Sequence, residues 1–175
     1  MELLFCYNLT MATATPSTLA AFRPHDHRQC RREGRAAVEA ECAARGLRLT
    51  PARACVLDVL LEAHRAVTAY ELLDRLREAG LGKQPPIVYH ALNFLVTNAF
   101  AHRIERLAAY VACTAGAGQH QAAFLVCRAC RTVAETAILG PEHALAEQSA
   151  PFGFAVERVS VEAEGLCARC RAAPA

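Results

Sequence analysis

Two cysteine pairs carry the most legible chemistry in the chain: Cys127-Arg128-Ala129-Cys130 and Cys167-Ala168-Arg169-Cys170. Two residues between cysteines let both sulfurs of a turn face one ion. A second such pair completes four thiolates, the ligand set of a structural tetrahedral zinc. The competing reading is two thioredoxin-like redox motifs or a disulfide framework. Neither pair opens a helix after a βαβ pattern, so zinc is preferred. The stretch between the pairs, residues 131–166, is longer than a minimal zinc ribbon needs, so a folded segment should lie between them.

Four other residues make a second candidate set: His102, Cys113, His120 and Glu135. Nitrogen, sulfur and carboxylate together suit zinc. Taken singly, each has a plainer reading. His102 could touch a phosphate, Cys113 could be a small buried residue, His120 a loop histidine and Glu135 a solvated strand acid. Spacing alone leaves both readings open. Nearer the N-terminus, His25, His27 and Cys30 could bind a stray metal, though this reading is not preferred, and the arginines of the same tail could touch phosphates, with a solvated tail preferred for them. No nucleophile with a positioned base and no phosphate-binding glycine loop is evident, so no catalysis is expected.

The elements that must position these residues follow from composition and period. The chain has 175 residues and an apolar fraction of 54%, enough for one domain or two small ones with a real core. Nine cysteines and no signal peptide point to a reducing, cytoplasmic setting in which thiols hold metal. No run is long enough to span a membrane. A net charge of +2 does not by itself predict DNA binding. Arg23, Arg28, Arg31, Arg32 and Arg35 cluster in residues 1–35, which mix Thr, Ser, Pro and Arg without period and are expected to be poorly ordered.

From Ala36 to Arg45 a short amphipathic helix is expected, stopped by Gly46. Thr50-Pro51 is an N-cap followed by proline at the first helical position, and Cys55, Val56, Val59, Leu60 and Ala63 recur behind it at helical spacing. Thr68-Ala69-Tyr70-Glu71 is a capping box opening a helix with Leu72, Leu73 and Leu76, which Gly80 ends. Pro85-Pro86 opens a third helix. Val88, Ala91, Leu92 and Leu95 mark its inner face, His90, Asn93 and Thr97 its outer one, and Tyr89 the boundary. Strands at Phe100–Glu105 and Ala109–Cys113 are joined by a tight turn near Arg106. Three helices and a hairpin make a winged helix-turn-helix, whose last helix enters the major groove. A small helical domain for protein contacts is the plainer alternative.

The fold class expected is therefore α+β. A winged helix-turn-helix at 36–113 leads through a small, glycine-rich hinge at 114–120 into a small α/β unit at 121–175 pinned by the four cysteines. In that unit Ala122–Val126 and Thr132–Thr136 read as strands, Pro141–Gln148 as a helix, and Phe154–Ala163 as a strand leading into the second cysteine pair. Apolar strands in so few residues invite pairing with a second copy.

The chain also resembles the ferric uptake regulator superfamily. Leu49-Thr50-Pro51-Ala52-Arg53, Ala69-Tyr70-Glu71-Leu72-Leu73, Pro85-Pro86-Ile87-Val88-Tyr89-His90-Ala91-Leu92 and His102-Arg103-Ile104-Glu105 follow its pattern in order, and the two CxxC pairs with Gly165-Leu166-Cys167 complete it. The likeness covers about residues 36 to 171 and is nearest to the zinc uptake regulator branch. It implies that His102, Cys113, His120 and Glu135 form a regulatory zinc site beside the structural zinc of Cys127, Cys130, Cys167 and Cys170, two Zn2+ per chain. It implies DNA contacts for which Arg53, Tyr70, Tyr89, His90 and Asn93 are the candidates. Asp74 and Arg77 match positions where dimers of the family pair side by side on DNA, or else form an ordinary intrahelical ion pair.

Two departures inform the reading. Gly118-Gln119-His120-Gln121 stands where the iron-sensing branch has a His-His-Asp-His stretch, which argues against iron and peroxide sensing. His90 stands where the family's recognition helix usually has an arginine able to bond a purine bidentately. The function implied is a zinc-responsive, homodimeric repressor of zinc-uptake genes on double-stranded DNA, with two dimers on one operator if Asp74 and Arg77 pair between them. The alternatives are a winged-helix regulator with structural zinc only, and a sensor of another metal.

Overall fold

In the computed structural model, residues 20–23, 25–114, 122–137 and 140–172 are described, so His120 and most of the expected hinge lie outside them. Helix α1 spans His27–Ala44, α2 Pro51–Leu61, α3 Ala69–Glu78 and α4 Pro85–Thr97, with a two-residue strand β1 at Val67–Thr68 before α3. The caps expected from sequence form. The Thr50 side chain accepts from Arg53 N at the start of α2. Thr68 and Glu71 exchange backbone-to-side-chain bonds of 2.7 and 3.3 Å at the start of α3. Each supplies partners for amides that the first turn leaves without one.

Helix α1 corrects the reading of the N-terminal tail. It begins at His27 rather than at Ala36, because Asp26 caps it by accepting from Arg28 N and Gln29 N. Only Val38 and Cys42 of its residues are buried, so its first half shows little apolar period in the sequence. Arg35, one of the clustered arginines, bridges Glu39 on its own helix and Asp58 on α2, at 2.7 and 2.6 Å.

The turn from α3 into α4 needs glycine at residue 82. Its φ is +151°, and a Cβ there would come within 2.7 Å of Ile87 Cδ1. The hairpin consists of β2 (Ala101–Ile104) and β3 (Ala109–Ala112), joined by a 3-10 turn at Glu105–Leu107 and the left-handed Ala108. With β1 it forms a three-stranded sheet of order β1-β3-β2. The core of this unit holds the fully buried Leu57, Leu60, Leu72, Leu76, Leu92, Leu95 and Phe100.

The second sheet is built from β4 (Ala122–Cys127), β5 (Val133–Ala137) and β6 (Val161–Gly165), in the order β5-β4-β6. β4 pairs antiparallel with β5 and parallel with β6, and α5 (Pro141–Ser149) lies in the β5–β6 connection. β6 is shorter than the strand expected from Phe154. The alternation there extends over Phe154–Ser160, which forms no regular element.

The two units share a second apolar cluster. Ala66, Ile104, Ala109 and Val111 of the first pack with Phe124, Val126 and Val133 of the second. Polar contacts run alongside: Glu162 of β6 accepts from the backbone amides of Glu105 and Arg106 at the hairpin turn, at 2.7 and 3.2 Å.

Candidate metal centres and nucleic-acid interface

The parallel register of β4 on β6 sets Cys127 opposite Gly165, which brings the second cysteine pair beside the first. The first CxxC closes as a tight knuckle: Arg131 is left-handed, and its amide donates to Cys127 O at 2.8 Å. The second opens the short helix α6, Ala168–Ala172. Cys130 and Cys167 sulfurs lie 3.9 Å apart, and Cys167 N donates to Cys127 Sγ at 3.4 Å. The ligand atoms of all four cysteines fall within 4.8 Å of one another. That sulfur spacing is close to the edge of a tetrahedron with Zn–S bonds of about 2.3 Å, and amide donors to sulfur favour thiolate, so the residues fit zinc.

The sulfurs hold their protons unequally. Burial raises the Cys130 thiol, but hydrogen bonds from Thr132, Cys127 and Cys170 outweigh it and hold it at about 6. Cys170, hydrogen-bonded to Cys167 and Cys130, is pushed up to about 12. A divalent ion entering this cluster must displace the remaining protons, so its affinity weakens as pH is lowered.

A second convergence joins the hairpin to β5. His102 comes from β2, Cys113 follows β3, and Glu135 pairs with Phe124 across the β4–β5 ladder. Glu135 is 4% exposed. Its Oε1 lies 3.3 Å from His102 Nε2 and 4.0 Å from Cys113 Sγ, and its Oε2 accepts from Thr114 N and Oγ1 at 2.9 and 3.0 Å. The His102 ring rests on Phe124, with centroids 5.1 Å apart. A buried carboxylate facing an imidazole and a thiol is a zinc-type donor set, one ligand short of four. The expected fourth, His120, lies outside the described residues.

A third convergence gathers the three N-terminal residues set aside above with one that the sequence did not point to. His25, His27 and Cys30 at the start of α1 meet His64 from the α2–β1 link, with all four ligand atoms again within 4.8 Å. His64 is separated from the others by 34 residues or more, and nothing local in the sequence signals the meeting. Burial and then the neighbouring His27 and His25 rings hold His64 down at about 4.

On the face expected to read DNA, Tyr89, His90 and Asn93 are exposed on α4, and Tyr70 is exposed at the start of α3. Arg53 is only half-exposed. Its guanidinium lies 3.8 Å from the centroid of the Phe94 ring and donates to Arg48 O. Asp74 and Arg77, both exposed, pair with each other on α3 at 2.9 Å.

No protein-family model matches the chain. Two curated relatives are similar to it: the zinc uptake regulation proteins of Escherichia coli (strain K12) and Shigella flexneri. Each is 40% identical over 136 residues, which cover 77% of this chain and 80% of the relative. Among solved structures, a zinc uptake regulator complexed with zinc and DNA aligns with a TM-score of 0.74 at 39% identity, covering 81% of this chain and 95% of that one. Holo XcZur aligns at 0.70 with 42% identity, covering 82% and 99%. With the winged helix, the tetracysteine cluster and this level of identity, the chain belongs to the zinc uptake regulator family of the ferric uptake regulator superfamily.

Proposed function

We propose that this protein is a zinc-responsive DNA-binding repressor of zinc-uptake genes, a transcription regulator and not an enzyme. The observation that carries the reading is the meeting of His102, Cys113 and Glu135, which come from both units of the chain. Cys127, Cys130, Cys167 and Cys170 are the structural set, and His102, Cys113, His120 and Glu135 the regulatory set, giving two zinc ions per chain.

When bound, zinc supplies a four-coordinate anchor for ligands drawn from the hairpin and from β5. The chain's own residues do the rest. The Phe124 ring and the Thr114 donors hold His102 and Glu135 in place. Through β2 and β3, α4 is then fixed relative to the second sheet, so the recognition helices of a dimer sit at one spacing and can match two half-sites. The ligand set acts by favouring that arrangement over others. A near-complete switch needs a preference of roughly 10⁴-fold.

Tyr70, Tyr89, His90 and Asn93 are the proposed base and backbone contacts, with Arg53 positioned on Phe94 to support α4. His90 in place of an arginine gives up one bidentate purine contact, so the sequence read is expected to differ at that base. Homodimerisation through the second unit is supported by the exposure of Leu145, Phe152 and Phe154, at 46%, 87% and 66%. Two dimers on one operator would require Asp74 and Arg77 to exchange their intrahelical bond for one between dimers. No described helix is long and apolar enough to cross a membrane, in keeping with a cytoplasmic regulator.

The test is operator binding against free zinc, measured with purified wild type and Cys113→Ser. Wild type should bind more tightly as zinc rises. Cys113→Ser should lose that dependence while keeping the fold and the tetracysteine metal. Full zinc-dependent binding by Cys113→Ser would sink the reading.

A further inference from the structure

His25, His27, Cys30 and His64 sit apart from both ligand sets above, on one cleft of about 480 Å³ that also reaches Cys113 and Glu135. The local sequence explains how three of them meet. Asp26 caps α1, fixing His25 just before the helix and His27 at its first position. Cys30 is one turn on from His27 and so shares its face. His64 arrives from the far end of α2. Its carbonyl accepts from Val133 N at 2.9 Å, which pins the link that carries it.

The hydrogen bonds turn the ring nitrogens toward a common point. His25 Nδ1 donates to Arg23 O at 2.9 Å, leaving Nε2 with its lone pair directed inward. His27 Nε2 donates to Glu62 O at 2.8 Å. The opposite nitrogen, His27 Nδ1, is buried and has no hydrogen-bond partner among the described residues. A buried acceptor left in this way is costly unless something satisfies it. His64 Nε2 lies 3.0 Å from His25 Nε2 and 3.6 Å from Cys30 Sγ. Tetrahedral zinc with Zn–N near 2.0–2.1 Å and Zn–S near 2.3 Å sets such edges at roughly 3.3–3.6 Å. Histidines that donate their outer N–H to a carbonyl and offer the inner nitrogen are also how metal-bound imidazoles are usually held.

We propose that these four residues form a third metal site, with three imidazole nitrogens and one thiolate, fitted to zinc. It would clasp the start of α1 to the α2–β1 link at the edge of the cleft shared with the regulatory set. It uses none of the residues of the two proposed zinc sites, and so stands or falls independently of the zinc-responsive reading.

The test uses the full chain, reduced, with zinc retained on the tetracysteine cluster and other metal removed by mild chelation. The background is Cys113→Ser, which leaves Cys30 as the thiolate of interest. Cobalt(II) is then added. A tetrahedral cobalt spectrum with a thiolate charge-transfer band at one equivalent is expected. The band should vanish in Cys113→Ser/Cys30→Ser, and cobalt affinity should fall at least about tenfold with His64→Ala or His25→Ala. His25 is exposed and precedes the helix, so its substitution keeps the test valid if a change at Cys30 or His64 unfolds α1. Absence of the band, or a band indifferent to His25→Ala, would overturn the site. Failure of the zinc-responsive reading would appear instead in the DNA binding of the Cys113→Ser single variant.

Discussion

In the winged-helix unit Leu57, Leu60, Leu72, Leu76, Leu92, Leu95 and Phe100 are buried almost completely, whereas β6 and α6 bury no residue. The first unit closes around an apolar core fed by four helices. The second buries residues on two strands, β4 and β5, and on the proposed reading its last strand and helix are held by four sulfurs. The contrast suggests that apolar volume and metal ligation are interchangeable as sources of stability, but that they fail differently. A core degrades one side chain at a time, while a four-ligand site fails as a whole. A structural zinc contributes roughly 10–16 kcal/mol of apparent binding energy, against about 5–15 kcal/mol for the net stability of a whole domain.

The largest expected effect follows directly. Cys127→Ala should abolish cooperative folding of the second unit while the helices of the first remain, read as loss of one thermal transition with most helical circular dichroism retained. Cooperative unfolding of the second unit in Cys127→Ala under excess chelator would remove the basis of the comparison.

Next in size, Leu72→Ala should cost about 2–5 kcal/mol by leaving a cavity in a closed core. It should shift the transition of the first unit and leave the tetracysteine metal content unchanged. If it also released that metal, the two units would be one cooperative body, and the contrast would have to be redrawn.

The smallest effect tests the caps. Burial opposes ionisation of Glu71, but the hydrogen bond from Thr68 N, the largest influence, and those from Arg65 and the Thr68 hydroxyl hold its carboxyl at about 2, against 4.5 ordinarily. A depressed carboxyl contributes stability that is fully present above about pH 4.5 and is lost as pH falls toward 2. The side chain is 39% exposed, so screening limits the contribution to about 1 kcal/mol or less. The stability difference between wild type and Glu71→Gln, measured for the first unit in urea, should shrink as pH drops from 6 to 3. A difference independent of pH would assign the cap's contribution to geometry alone.

What the sequence disclosed depended on distance along the chain. The capping box, the Thr50-Pro51 start and each CxxC are signals within four residues, and each maps onto local geometry. His102, Cys113 and Glu135 were picked out by type and resemblance, and their convergence required the β2–β3 hairpin to pack on β5. The start of α1 escaped notice because its burial is slight. Polar, arginine-rich residues look the same in a solvated helix as in a tail, and the Asp26 cap precedes no apolar run. His64 escaped for a different reason: it had no local pattern, and only the fold carries it to the His25-Asp26-His27 segment. Strand β1 is two residues long, too short to leave a period.

The joint between the units includes a pair of main-chain bonds. Ala66 N donates to Arg131 O at 3.3 Å and Val133 N donates to His64 O at 2.9 Å, linking the α2–β1 connection to the knuckle of the first CxxC. Bonds of this kind are blind to side-chain identity. The link itself therefore tolerates changes of side chain, although the side chains at these positions carry other tasks: Ala66 and Val133 are buried in the shared apolar cluster, and Arg131 is left-handed. Proline at 66 or 133 is the exception, since it deletes the donor itself. The coupling in this molecule is thus partly carried by main-chain atoms that most substitutions leave in place.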